Sequence, residues 1–277
     1  MSVACLQMYD LPEVRGALDT FWHGLAGHLR REGIDDVPDR LTFDRSLTAL
    51  LGDPDFWFGQ CCGSDLVGRH ASNLRLVATP HYDAPGCSGA DYISFVVVRE
   101  DNRAAGIAEL RGTVCVVNEP GSRSGANALF ARIARYSEGG PVFTVVQISG
   151  SHVASIDLVR DGAAGVAAID CVTWALLERH RPEALQGLRV LTVADPAPGL
   201  PYVAGSAIDD DGLARIRSAI FAAFADPALE EAREALLLKD VEVLPQSAYD
   251  RIAMVCDRAA GAGGLEDAAS VVQRPAG

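Results

Sequence analysis

Short runs rich in Val, Ile and Leu recur along the chain, and longer segments between them repeat their apolar residues at a helical period. That alternation is the pattern of an α/β fold. The runs VACLQMY (3–9), FWFGQ (56–60), LRLVATP (74–80), SFVVVRE (94–100), TVCVVN (113–118), FTVVQIS (143–149), GVAAID (165–170) and LRVLTVA (188–194) read as strands. Residues 13–31 place Val14, Ala17, Leu18, Phe21, Leu25 and Leu29 on one helical face. Helices are also predicted over 125–136, 153–161, 172–181, 211–225, 228–239 and 246–260, and the tail from Gly261 onward is expected to fray.

Two segments interrupt this rhythm: PHYDAPGCSGADY (80–92), dense in Gly, Pro and Asp, and ADPAPGLP (194–201), dense in Pro. Each follows a strand, and both read as crossings between lobes. On that reading residues 1–90 and 195–277 fold together as one lobe and residues 91–194 form an inserted second lobe, with a ligand cleft between them. The length of 277 residues suits two domains, and 49% apolar with 22% charged residues is ordinary for a globular protein. A formal charge of −13 argues against nucleic acid, whose phosphates are bound by basic surfaces. The first residues, MSVACLQMYDLPEV, show no basic leader, and no apolar stretch reaches the ~18 residues that cross a bilayer. The chain is therefore read as soluble and cytoplasmic, without direct membrane insertion. Seven cysteines outside a secretory context read as free thiols.

Three segments place small polar residues where a strand gives way to a helix: QCCGSD (60–65), NEPGSRSG (118–125) and SGSHVAS (149–155). A helix start exposes N–H groups without partners and the positive end of the macrodipole, so it attracts anions. Ser122 or Ser124 serves either as an ordinary N-cap or as part of an oxyanion site. A cap needs one hydroxyl, whereas this stretch offers two, with the open backbone of Gly121 and Gly125 beside them. Ser151 begins the later helix, and the dipole there favours a neutral His152. Asp170 closes the GVAAID strand, either as a cap for the following helix or as an acceptor for a ligand.

Several chemistries lack their motif. The nucleophile elbow needs G-x-S-x-G, and GSRSG places Arg123 at its centre. Cys61, Cys62, His70, His81 and Cys87 match no usual zinc spacing, and neither a P-loop nor a dinucleotide fingerprint is present. No cofactor or metal is expected.

The ordered segments YDAPGCSGADYIS (82–94), LRGTVCVVNEPGSRSG (110–125), SGSHVASIDLVRDG (149–162), AAID (167–170) and PGLP (198–201) resemble the phosphonate-binding protein family. These proteins are the solute-binding components of phosphate, phosphite and phosphonate ABC importers. The resemblance implies a type II periplasmic-binding-protein fold of two α/β lobes joined by two crossings. It implies that Ser122, Arg123, Ser124, Gly125 and Ala126 cradle the ligand's oxygens, with Ser151 and His152 completing the anion site. Tyr9, Tyr82 and Tyr92 are then the aromatics of the cleft, and Asp170 is the acid that can meet a ligand amine. Cys62 and Cys87 are expected close to one another, where a disulfide would block two of the seven thiols.

The function this implies is binding of a small oxyanion, phosphonate-like, for an ABC permease, without catalysis. An importer component would be periplasmic. Two other roles share the fold: an enzyme acting on a small anionic metabolite, and a cytoplasmic ligand-sensing domain.

Overall fold

A computed structural model describes residues 2–136, 142–261 and 271–273. They divide into two units, Met1–Asp83 with Cys87–Asp91 and Pro198–Asp250, and Ala84–Gly86 with Tyr92–Ala197 and Arg251–Gly277. The chain leaves the first unit in the 84–92 segment, returns at 197/198, and passes over a third time at 250/251. The segment after Asp250, expected with the first lobe, thus groups with the inserted one.

The strands are β1 (Val3–Cys5), β2 (Phe56–Gln60), β3 (Leu74–Tyr82), β4 (Asp91–Tyr92), β5 (Ser94–Arg99), β6 (Val114–Val117), β7 (Val145–Ile148), β8 (Val166–Asp170), β9 (Leu188–Val193), β10 (Ala197–Pro198), β11 (Tyr202–Gly205), β12 (Leu238–Glu242) and β13 (Val271–Gln273). The helices are α1 (Arg15–Arg31), α2 (Leu47–Leu51), α3 (Gly63–Val67), α4 (Ala128–Ile133), α5 (His152–Arg160), α6 (Cys171–His180), α7 (Asp210–Ala225), α8 (Glu230–Ala235) and α9 (Asp250–Gly261).

In the first unit the sheet runs β1-β2-β11-β3-β12, with β1 parallel to β2 and the other pairs antiparallel. FWFGQ is buried along its whole length, as an unbroken apolar run demands of a central strand. α1 buries Leu18, Phe21, Trp22, Leu25 and Leu29, and the Trp22 ring stacks on Phe58 with centroids 5.9 Å apart. α7 starts where Asp209 accepts from the Gly212 N–H at 2.8 Å, and two more aspartates in its first turn suit the dipole.

The predicted helix over 228–239 is wrong in its second half. α8 ends at Ala235, Leu237 turns into the left-handed region with φ 58°, and Leu238–Glu242 pairs antiparallel with β3. A leucine in that region is disfavoured by ~1–2 kcal/mol, and its buried side chain offsets the cost. The run LLLKDVE carries no clear strand alternation, and its pairing partner lies about 160 residues earlier, so local pattern favours the helix.

The second unit has a six-stranded sheet, β13-β7-β6-β8-β5-β9. β13, β7, β6 and β8 run parallel, while β5 is antiparallel to both β8 and β9. Val96, Val117, Leu129, Phe130 and Val146 form part of its core, to which Ala259 of α9 also contributes. The expected fraying of the tail fails at 271–273, which form β13; residues 262–270 and 274–277 lie outside the described residues. The carboxyl ends of β6, β7 and β8 lie along one edge of this sheet, where three helical segments begin.

Candidate functional site

The helical segment after β6 starts with a wide turn. Ser122 is extended (φ −62°, ψ 125°), its Oγ accepts from the Gly125 N–H at 3.1 Å, and its carbonyl accepts from the Asn127 N–H at 2.9 Å. The second bond spans five residues, making Arg123–Asn127 a single π-type turn before α4. Gly125 is required here. A Cβ on it would run into the Asn118 amide oxygen, with Asn118 Cγ 3.0 Å and Ser122 Oγ 3.3 Å away.

After β7, Gly150 takes a left-handed conformation (φ 89°) that glycine alone adopts without cost, and its N–H donates to the Asn118 carbonyl at 2.9 Å. Ser151 then caps α5, its Oγ accepting from the Ala154 N–H at 3.1 Å. After β8, Asp170 caps α6, its Oδ1 accepting from the N–H groups of Val172 at 3.1 Å and Thr173 at 2.8 Å. The carboxylate is 2% exposed.

His152, the first residue of α5, joins these starts. Its Nε2 lies 2.9 Å from Ser124 Oγ and 3.5 Å from Asp170 Oδ2. Burial holds the imidazole below its ordinary pKa, opposed by the Asp170 carboxylate and the Ala168 carbonyl. The unfolded chain thus binds a proton at pH values where the folded protein does not. This contribution to stability is complete above the ordinary imidazole value, about 6.5, and is lost as pH falls below it toward the depressed value. The urea midpoint of the wild type is expected to fall more steeply from pH 7 to pH 5 than that of His152→Gln; parallel curves would contradict a buried neutral ring.

Ser124, His152 and Asp170 therefore meet, though not as a catalytic triad. A triad has its serine and its carboxylate on opposite ring nitrogens, so that one orients the imidazole while the other gives up a proton. Here both face Nε2.

The remaining sequence candidates divide. Arg123 is 1% exposed; its Nη2 donates to the Asp195 carbonyl at 2.6 Å, and its guanidinium carbon lies 5.1 Å from the Tyr92 ring centroid. Arg123 and Tyr92 are thus brought to each other inside the unit. Ala126 belongs to the core, which leaves only its backbone for a ligand.

In the first unit, the Tyr9 and Tyr82 rings pack edge to face at 5.2 Å. Gln60 Nε2 donates to the Tyr82 hydroxyl at 2.8 Å and to the Leu200 carbonyl at 3.0 Å. A small cavity of about 20 Å³, room for roughly one water, lies beside Tyr9, Gln60, Tyr82 and Tyr202. Gln60, Tyr202 and Asn118 were not singled out from the sequence. Both Gln60, which ends an apolar strand, and Asn118, which directly follows one, could have been, as lone amides in those places.

None of the seven cysteines is disulfide-bonded, so the suggested Cys62–Cys87 bridge is absent; Cys62 Sγ instead accepts from Ser64 Oγ at 3.1 Å. Among the described residues no group of three or more His, Cys, Asp or Glu could hold a metal ion, and no helix is long and apolar enough to cross a membrane.

Comparison with known proteins agrees with this architecture. Residues 56–249 match the family described as ABC transporter, phosphonate, periplasmic substrate-binding protein. No curated protein matches the chain in sequence. PhnD1 from Prochlorococcus marinus, solved in complex with methylphosphonate, superposes with a TM-score of 0.74 at 15% identity, covering 94% of this chain and 98% of that one. A binding protein component of an ABC phosphonate transporter from Pseudomonas aeruginosa gives 0.73 at 14% identity, over 92% and 84% of the two chains. XAC2383 from Xanthomonas citri, bound to ATP, gives 0.71 at 15% identity, over 95% and 97%. These likenesses identify the type II periplasmic-binding-protein fold. The matched family is periplasmic, which lends no support to the cytoplasmic reading of the first residues. With its family match spanning well over half its length, the chain belongs to the phosphonate periplasmic substrate-binding proteins of ABC transporters.

Proposed function

We propose that this chain binds a phosphonate on the helix starts of its second unit and delivers it, unchanged, to an ABC permease from the periplasm. The observation that carries the reading is the convergence of the Ser122, Ser151 and Asp170 helix starts at one sheet edge, with His152 touching Ser124 among them. Helix starts supply N–H donors and a favourable dipole, and the two serine hydroxyls of the π-turn add donors that one cap does not need. In this reading Ser122, Ser124 and the backbone of Gly125 and Ala126 hold the phosphonate oxygens, with Ser151 and His152 beside them. Family membership and the methylphosphonate complex of PhnD1 support phosphorus over other oxyanions.

The shared use of His152 Nε2 by Ser124 and Asp170 favours binding over acyl or phosphoryl transfer, since no base is oriented behind the serine. Calorimetry with methylphosphonate tests the cradle. Ser124→Ala is expected to weaken binding by about 1.5–3 kcal/mol, the range for a hydrogen bond to a charged group. Equal affinity of wild type and variant would remove Ser124 from the site, and ligand turnover on prolonged incubation would restore the enzymatic alternative.

A further inference from the structure

Most side-chain acceptors at this sheet edge are already in use, and Asn118 Oδ1, which has no partner among the described residues, is buried against Gly125. Ser122 Oγ accepts from Gly125, Ser151 Oγ from Ala154, and Asp170 Oδ1 from two N–H groups of α6. Ser124 Oγ and Asp170 Oδ2 both face His152 Nε2, at 2.9 and 3.5 Å. A bare nitrogen lone pair directed at a carboxylate oxygen is repelled, and a neutral imidazole has one proton to place. Nδ1 has no hydrogen-bond partner within range among the described residues, the Ala168 carbonyl included, so that proton belongs on Nε2, where Ser124 Oγ, the nearer oxygen, receives it. The Ser124 hydroxyl hydrogen must then point elsewhere. Among the described residues, none of the Ser122, Ser124 and Ser151 hydroxyls donates to another protein acceptor apart from the shared Ser124–His152 contact.

We infer that His152 is a positioning residue that fixes Ser124 as a hydrogen-bond donor, so that the site admits the fully ionised phosphonate dianion and discriminates against the monoanion with its P–OH group. This rests on the phosphonate reading above and adds the charge state of the ligand. A P–OH needs an acceptor, and inserting it among donors leaves hydrogens opposed. The titratable group facing the ring is Asp170 at the end of β8; Ser124, and Ser94 opposite Asp170 on β5, are neutral.

The test is calorimetry from about pH 5.5 to about pH 8.5 with methylphosphonate and with methanesulfonate, which stays a monoanion and carries no proton. Below the second ionisation of methylphosphonate its affinity should fall about tenfold per pH unit, while methanesulfonate affinity changes little. His152→Gln, whose amide can donate from a similar position, should keep the slope. His152→Leu frees the Ser124 hydroxyl to accept and should flatten it. A flat or inverted wild-type profile, or an unaltered slope in His152→Leu, overturns the inference while leaving phosphonate binding intact. Failure of methylphosphonate to bind at any pH, with methanesulfonate bound, would remove the functional reading and this inference with it.

Discussion

Gly125→Ala is expected to reduce methylphosphonate affinity by about a hundredfold or more. The added Cβ collides with the buried Asn118 amide oxygen and comes within 3.3 Å of Ser122 Oγ. Asn118 directly follows β6, its backbone carbonyl is tied to the Gly150 N–H, and its amide oxygen is buried. Ser122 Oγ is held by the Gly125 N–H itself. Relief by opening the π-turn displaces both serine hydroxyls together. Two hydrogen bonds to a charged ligand at about 1.5–3 kcal/mol each make a loss on the order of 3 kcal/mol or more. Overpacking of this kind also costs about 1–3 kcal/mol of stability. Calorimetry and urea unfolding of one preparation read both effects, and an affinity within threefold of wild type would show that the turn does not hold the ligand.

Asp170→Ala is expected to have the largest effect on stability, about 3–4 kcal/mol. It removes a cap that two α6 N–H groups share, each within 3.1 Å of one oxygen, and it does so where water does not reach. Losing an N-cap costs about 0.5–2 kcal/mol, and each buried N–H left unsatisfied adds to that. Asp170→Asn retains a carbonyl oxygen for the cap and should lose about 1 kcal/mol. The pair separates capping from charge: equal losses for Ala and Asn in urea unfolding would assign the stability to the carboxylate's charge near His152 instead. Removing the carboxylate also removes the attraction that raises the His152 pKa, so the imidazole should titrate lower still in both variants. A proton NMR titration of the ring would follow it.

How much of this was legible before the structure depends on the range of the cause. FWFGQ and SFVVVRE read as strands because burial on both sheet faces writes an apolar run into the local sequence. The cradle read as a helix start because Ser122 and Gly125 are the residues such a start needs. The π register was not legible, since it depends on how Gly125 meets Asn118, seven residues away and just after β6. Arg123 reads as a ligand contact by its charge and place, while the bond from its Nη2 to the Asp195 carbonyl, 72 positions on, has no local signal. β12 failed for the same reason, its strand character coming from β3 and not from its own residues. Short-range chemistry showed in the sequence; pairings across the chain did not.

The placement of α9 and β13 in the second unit bears on how the molecule is made. Ala259 enters that unit's core, and β13 completes the sheet beside β7. The unit whose strands emerge in the middle of synthesis therefore cannot finish until residues 250–273 have left the ribosome. Until then β7 presents an open edge, and open edges recruit other chains. The interval between the synthesis of residue 148 and residue 271 is thus the period in which a nascent molecule most needs a chaperone or a fast translation rate.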